Sequence, residues 1–216
     1  MTSDQIQVGD SILELEEKIG VKSNFFRNLL NEDDWSFIIK LHALFEAACT
    51  HLLLFHFKEP QLAKTISRLE LSNKTTGKIA FLSELELLGT EERRLISALS
   101  ELRNKLVHDV RNSEFSLEKM VLNFDSNTIK NFAISYSPFE TFIRKFPYDE
   151  TLKLGYDDEM LKYAAVDNMI TRAKQTPKLH IWVGAKHVLN NMIDMYSYSD
   201  YKNWIKSEDL LNDTNA

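Results

Sequence analysis

The chain has 216 residues, of which 44% are hydrophobic, and these include 13 Phe, 7 Tyr and 3 Trp. This is enough apolar material for a core, whereas six glycines and four prolines are too few for a turn-rich β fold. The net charge of −6 excludes a general binder of polyanions, so any contact with nucleic acid requires a local basic patch.

Cysteine content and hydropathy predict a cytoplasmic protein. Cys49 is the only cysteine, so no disulfide forms within the chain, and the N-terminus does not resemble a secretory signal peptide. The longest apolar run, residues 51–57, is interrupted by histidine and is too short to span a membrane. We therefore expect no membrane partner.

The first third of the chain reads as helices around one long apolar segment. Residues 1–11 are polar, and we expect them to be flexible. The next stretch, 12–30, predicts one or two short helices broken near Gly20. Asp34 is placed to cap a helix over residues 35–57, which is apolar on most sides and is predicted to be the central buried helix.

Start and stop signals divide the middle of the chain. Pro60 opens a predicted helix, and a polar loop leads to another that Gly89 is expected to end. Thr90 is a candidate N-cap for the helix 91–110, and Ser116 starts one that runs to about Phe132.

A Ser/Pro break at 135–140 precedes the last region. We expect a short aromatic helix at 138–147, helices at 157–175 and 178–196 divided by Pro177, and no period-two strand pattern. The fold class is therefore predicted as all-α. The predicted organisation is a flexible N-terminus (1–11), a helical bundle (12–135), a C-terminal helical extension packed on it (136–205) and a flexible tail (206–216).

The helix 91–110 carries a polar motif beside a complete apolar stripe. At about 100° per residue, four leucines fall on one narrow face, with Ile96 and Val110 beside them. Asn104 and His108 are four residues apart and share the opposite face, while Arg103 lies at the edge of the stripe. The core does not need Asn104 or His108, so they face either water or a second molecule. The four leucines are Leu95, Leu99, Leu102 and Leu106.

Outside the motif, other polar residues are explained by pairing or by packing. Glu46, a carboxylate in the apolar helix 35–57, is expected to pair with any nearby cation, and His42 four residues earlier is one candidate. The spacing of Cys49, His51 and His56 matches no zinc pattern, so we interpret them as core or interface residues and predict no metal site.

The segment "LRNKLVHD" resembles the signature of the HEPN superfamily, in which an Arg, a polar residue and a His follow one another near the end of a helix. Residues 69–108 are also similar to the corresponding part of the mannitol operon repressor family and related HEPN-like proteins. The resemblance covers about residues 35–135. It implies an all-helical HEPN-like bundle, to which the later helices are additions.

The same resemblance implies a metal-independent endoribonuclease whose site forms at a homodimer interface and which needs no cofactor. Arg103, Asn104 and His108 are then the catalytic residues, and Lys105 and Arg111 are near enough to add phosphate contacts. In HEPN-type proteins an acidic or polar residue on an earlier helix often faces the motif, so the resemblance also implies that Glu46 orients Arg103 or His108. Proteins of this kind act as toxins or antiphage effectors, so an antitoxin or regulatory protein is an expected partner.

A second function remains open. Many relatives with this helical pattern are regulators, so a non-catalytic transcriptional regulator or interaction module of the mannitol-repressor type is the alternative. The acidic chain shows no basic recognition helix, which argues against sequence-specific DNA binding on its own.

Overall fold

The computed structural model describes residues 10–108, 114–138 and 158–213. Every regular element in these ranges is a helix and no strand occurs in them, which confirms the all-α prediction. Short 3-10 helices lie at Leu29–Asn31 and Pro60–Leu62. The α-helices are α1 (Asp10–Lys18), α2 (Phe25–Asn28), α3 (Asp34–Phe57), α4 (Ala63–Ser67), α5 (Lys78–Glu84), α6 (Thr90–Val107), α7 (Leu117–Leu122), α8 (Ser126–Ser135), α9 (Asp158–Gln175) and α10 (Pro177–Asp213).

The chain divides into two compact units, each assembled from separate segments. The first unit comprises residues 1–29, 39–89 and 189–216, and the second comprises 30–38 and 90–188. Helices α3 and α10 each contribute residues to both units, so the division does not fall at one point in the sequence. The boundary expected near residue 135 does not correspond to it.

Helix α3 has the apolar character predicted for a central helix. By length and composition alone, α3 could cross a membrane. The seven-residue apolar run considered in the sequence is only part of this helix and did not indicate this. The most apolar window of α3 is 56% buried inside the protein. The core helix of a globular protein passes the same test, and α3 supplies buried side chains such as Phe37, Leu41 and Phe45.

The start of α3 uses two adjacent carboxylates for different tasks. Asp33, rather than the predicted Asp34, caps the helix by accepting a hydrogen bond from the Ser36 backbone N–H at 2.8 Å. Asp34 instead accepts from the Leu117 N–H at 2.8 Å and pairs with Lys178 Nζ at 2.8 Å. Within the second unit, Asp34 thus connects the starts of α3, α7 and α10.

In the first unit, a buried carboxylate organises the turn after α1. Glu16 is only 1% exposed, and its oxygens accept from the backbone N–H groups of Asn24 at 2.6 Å and Phe26 at 2.8 Å. Gly20 has φ +71°, a left-handed conformation in which L side chains are strained. The predicted break near Gly20 is confirmed.

The second unit contains a helix break that the sequence prediction missed. One helix was expected from Ser116 to about Phe132, but α7 ends at Leu122 and α8 starts at Ser126. Ser116 caps α7 by accepting from the Lys119 N–H. Asp125 caps α8 by accepting from the Thr128 N–H at 2.7 Å, so this local side-chain bond starts a new helix.

Two other boundaries also differ from the predictions. After α5 the left-handed residue is Glu86, with φ +59°, rather than Gly89. Helix α10 does not end near residue 196 but continues to Asp213, so most of the expected flexible tail is helical. The expected helix at 138–147 and most of the expected flexible N-terminus lie outside the described residues.

Candidate functional site

The sequence motif lies at the C-terminal end of α6. Arg103 and Asn104 are in its last turns, and His108 follows its final residue, Val107. Asn104 and His108 are exposed, and Arg103 is half-buried. The predicted core face is confirmed, because the side chains opposite are all buried: Leu95, Ile96, Leu99, Leu102 and Leu106.

A hydrogen bond joins the first two members of the motif. Arg103 Nη1 donates to the Oδ1 atom of Asn104 at 3.1 Å. A guanidinium has five N–H donors, and this bond uses one of them. The bond joins Arg103, at the edge of the leucine stripe, to a residue of the exposed face that carries His108.

An apolar neighbour, Val107, and a basic neighbour, Lys105, lie beside the motif on α6. Val107 is 38% exposed although it is apolar, and it lies three residues after Asn104. Lys105 is exposed and takes part in an interaction within the chain. Arg111, the other predicted supporting residue, lies outside the described residues, as does Val110.

Glu46 belongs to the first unit, where it has a cation partner. Lys78 Nζ donates to Glu46 Oε1 at 2.8 Å, and the two side chains are 1% and 42% exposed, respectively. This is the pairing with a cation that is expected of a carboxylate in the apolar helix, with Lys78 rather than His42 as the partner. An orienting role of Glu46 toward Arg103 or His108 stays a prediction.

Lys78 itself was missed by sequence reasoning, although its position carried a signal. It lies four residues before Leu82, so both side chains occupy the same face of α5, and both are buried. A lysine on an apolar helix face requires a charge partner from elsewhere in the chain. Glu46 lies 32 positions away, and no local pattern links the two.

Three of the five histidines outside the motif have hydrogen-bond partners within their own units. His51 Nδ1 lies 2.8 Å from the Tyr196 hydroxyl, and His56 Nδ1 lies 2.8 Å from Ser199 Oγ. His180 Nε2 lies 2.9 Å from the Ala133 carbonyl oxygen, to which it donates. Burial lowers the pKa of each of these three imidazoles, so all three favour the neutral form.

Neither a metal centre nor a reactive thiol is apparent among these groups. In the ranges that the structure describes, no cluster of three or more His, Cys, Asp or Glu side chains is arranged to hold a metal ion. Cys49 is fully buried, and desolvation raises the pKa of its thiol to about 12. The thiol is therefore protonated and unreactive at neutral pH.

Comparison with known proteins adds no relative. No protein-family model, curated protein or solved structure matches this chain.

Proposed function

We propose that this protein is a metal-independent endoribonuclease of the HEPN type, with Arg103, Asn104 and His108 as its catalytic residues. The observation that carries the proposal is that α6 ends in exposed polar residues on the side of the helix opposite its buried leucines. Asn104 and His108 are exposed and are not part of the core of the second unit, and the half-buried Arg103 donates a hydrogen bond to Asn104.

RNA cleavage of this kind needs few groups, because the substrate carries its own nucleophile. The 2′-oxygen attacks the adjacent phosphorus, the P–O5′ bond breaks, and a 2′,3′-cyclic phosphate and a 5′-hydroxyl are produced. A neutral imidazole takes the proton of the 2′-OH, and an imidazolium returns a proton to the departing 5′-oxygen. Histidine suits both steps because it exchanges protons near neutral pH.

Arg103 and Asn104 serve the phosphate in this proposal. The guanidinium binds the nonbridging oxygens and stabilises the negative charge that develops on them in the transition state. Asn104 holds the guanidinium in place, because its Oδ1 atom already accepts one of the Arg103 N–H bonds. A fixed donor costs less reorganisation when the transition state forms.

A homodimer would complete the site. Two copies of the face that carries Asn104, Val107 and His108 would bury the exposed Val107 side chain and bring two imidazoles into one cleft. One imidazole is then available as the base and the other as the acid. In cells, such an enzyme would act as a toxin or antiphage effector controlled by a protein partner.

The proposal is tested by incubating the purified full-length protein with several RNAs in EDTA. Cleavage by the wild type is expected, with a loss of at least about 100-fold in Arg103→Ala and in His108→Ala, because each removes a charge-stabilising or proton-transferring group. Arg68→Ala is the matched control, since Arg68 is an exposed arginine of the first unit. It should cut like the wild type.

Two results would contradict the proposal. In the first, the wild type leaves every RNA intact. In the second, Arg103→Ala and His108→Ala cut as fast as Arg68→Ala does. An inactive wild type that forms a stable complex with a protein or a DNA fragment would favour the mannitol-repressor type of regulator instead.

A further inference from the structure

The last part of α10 exposes an aromatic pair that has no role in the core. Tyr201 and Trp204 are 55% and 58% exposed, and their rings stack with centroids 6.2 Å apart and an interplanar angle of 28°. Tyr198, one turn earlier, is 36% exposed. Tryptophan is highly buried on average, so a stacked and exposed Trp/Tyr pair requires an explanation.

Two acidic residues frame these rings on the same side of the helix. At about 100° per residue, Asp194, the three aromatic residues and Glu208 fall within a stripe about 120° wide. Asp194 and Glu208 are fourteen positions apart, so about 21 Å of helix separates them. Both are exposed, and neither has an ion-pair partner among the described residues. We call this stripe, from Asp194 to Glu208, the aromatic face.

The two lysines of the same segment do not cover Tyr201 or Trp204. Lys202 is directed to the end of α5, where its Nζ donates to the Leu85 carbonyl oxygen at 2.9 Å and to the Glu86 carboxylate at 2.6 Å. Lys206 lies about 140° from Tyr201 around the helix. The same Lys202 Nζ lies 5.5 Å from the centroid of the Tyr198 ring, so it occupies that ring. Among the described residues, no lysine or arginine lies over Tyr201 or Trp204, whose rings are left to bind another molecule.

We propose that the aromatic face binds a basic segment of another protein, whose arginine side chains stack on Tyr201 and Trp204. Arginine is attracted to the face of an aromatic ring, and Trp, Tyr and Arg are the residues that dominate binding energy at interfaces. Asp194 and Glu208 at the two ends pair with further cations of the same segment. The segment that fits the aromatic face is thus an extended, cationic peptide that is rich in arginine.

Charge excludes the two other candidate occupants. A nucleic acid would bring phosphates against Asp194 and Glu208, and the chain as a whole has a net charge of −6. A second copy of the aromatic face would bring carboxylates against carboxylates, which costs free energy. This inference is independent of the proposed ribonuclease activity, because it uses none of the α6 residues.

The test is binding of a fluorescently labelled oligoarginine peptide to the full-length protein, measured by anisotropy. We expect Tyr201→Ala/Trp204→Ala to weaken binding about tenfold although the net charge is unchanged. Asp194→Asn/Glu208→Gln should weaken it further and reduce its salt dependence. An oligoglutamate peptide and a single-stranded oligoribonucleotide serve as probes of opposite charge.

Matched variants separate this site from general attraction to an acidic protein. Tyr163→Ala removes a 74% exposed tyrosine of the second unit, and Glu118→Gln removes an exposed carboxylate there. Both should bind oligoarginine like the wild type. The proposal is overturned if they weaken binding as much as the aromatic-face variants do, if Tyr201→Ala/Trp204→Ala binds unchanged, or if the oligoribonucleotide binds the aromatic face more tightly than oligoarginine.

Discussion

Among the described residues, Lys78 is the only buried lysine or arginine. Its ammonium group has one carboxylate as its charge partner. Glu46 Oε1 lies 2.8 Å from Nζ, while the Ser67 carbonyl oxygen lies farther away at 3.4 Å. A buried cation without a charged partner bears most of its desolvation cost unopposed. The main effect of Glu46 on the stability of the first unit is therefore that it prevents the Lys78 charge from being buried without a partner.

Glu46→Gln should lower the free energy of unfolding by about 2 kcal/mol, because it leaves the Lys78 charge buried and unpaired. Urea unfolding measures the change as a lower midpoint at constant slope. Glu84→Gln is the control, since Glu84 is exposed on α5, and its effect should stay within about 0.5 kcal/mol.

The double variant Glu46→Gln/Lys78→Met distinguishes an unpaired charge from lost packing. Methionine keeps much of the lysine stem and removes the charge, so the double variant should recover a large part of the lost stability. If the double variant is less stable than Glu46→Gln alone, the buried charge is not the cause of the destabilisation.

Three imidazoles, two of them buried and that of His51 half-buried, make the stability of the folded chain depend on pH. Burial lowers the pKa of His51, His56 and His180, and nearby lysines lower that of His56 further. Above the unfolded value of about 6.5, both states are neutral and no stability is lost. Below it the unfolded chain binds protons that the folded chain resists, so the free energy of unfolding falls as pH falls.

We therefore expect lower stability at pH 5.5 than at pH 7.5, and His56→Asn should reduce the difference. The effect of this one group is about 1 kcal/mol or less. Urea unfolding of both proteins at the two pH values measures it. Carboxylates with a lowered pKa, such as Asp33 and Asp125, take up protons only at more acidic pH. They therefore do not contribute to the difference in stability between pH 5.5 and pH 7.5. An identical pH dependence in the variant would rule out His56 as a contributor.

At the scale of elements, Gly184 shows how a helix interior can require glycine. It lies within α10, where alanine would normally stabilise the helix by about 1 kcal/mol. A Cβ atom there would overlap the carbonyl oxygen of Tyr136 and lie 3.0 Å from Leu95 Cδ1. In the second unit, α10 thus approaches the residue after α8 closely enough to exclude a methyl group.

Gly184→Ala should therefore destabilise the protein by about 2 kcal/mol in spite of its helix propensity. Thermal or urea unfolding measures the change. Ser197→Ala, at an exposed position of the same helix, is the control and should change stability by about 0.5 kcal/mol or less. A Gly184→Ala variant more stable than the wild type would show that α10 moves away from Tyr136 at little cost.

Local sequence signals predicted the long helices well. The helix predicted at 35–57 spans Asp34–Phe57, and the one predicted at 157–175 spans Asp158–Gln175, because apolar periodicity and caps are properties of neighbouring residues. The end of α10 was misplaced although no proline and no glycine follows Gly184. Without a stop signal, the continuation of the helix was the simpler expectation.

At the scale of the whole molecule, the pairings that build the units had no local signal. His56 meets Ser199 across 143 positions, and His51 meets Tyr196 across 145. Such contacts depend on the tertiary fold, which periodicity does not specify. By contrast, the wheel of α6 correctly placed Asn104 and His108 opposite the leucines, because exposure follows from helix geometry once the apolar stripe is fixed.

The chemistry proposed for the end of α6 requires the 2′-hydroxyl of the substrate as the nucleophile. The measurement compares cleavage, in EDTA, of one RNA oligonucleotide with that of the same sequence carrying a single 2′-deoxy residue at the cut position. We predict that the wild type cuts only the ribose form, leaves a 2′,3′-cyclic phosphate and a 5′-hydroxyl, and loses this activity in His108→Ala. Equal cleavage of both substrates, or products with a 5′-phosphate, would show that the 2′-oxygen is not the nucleophile and would overturn the proposed function.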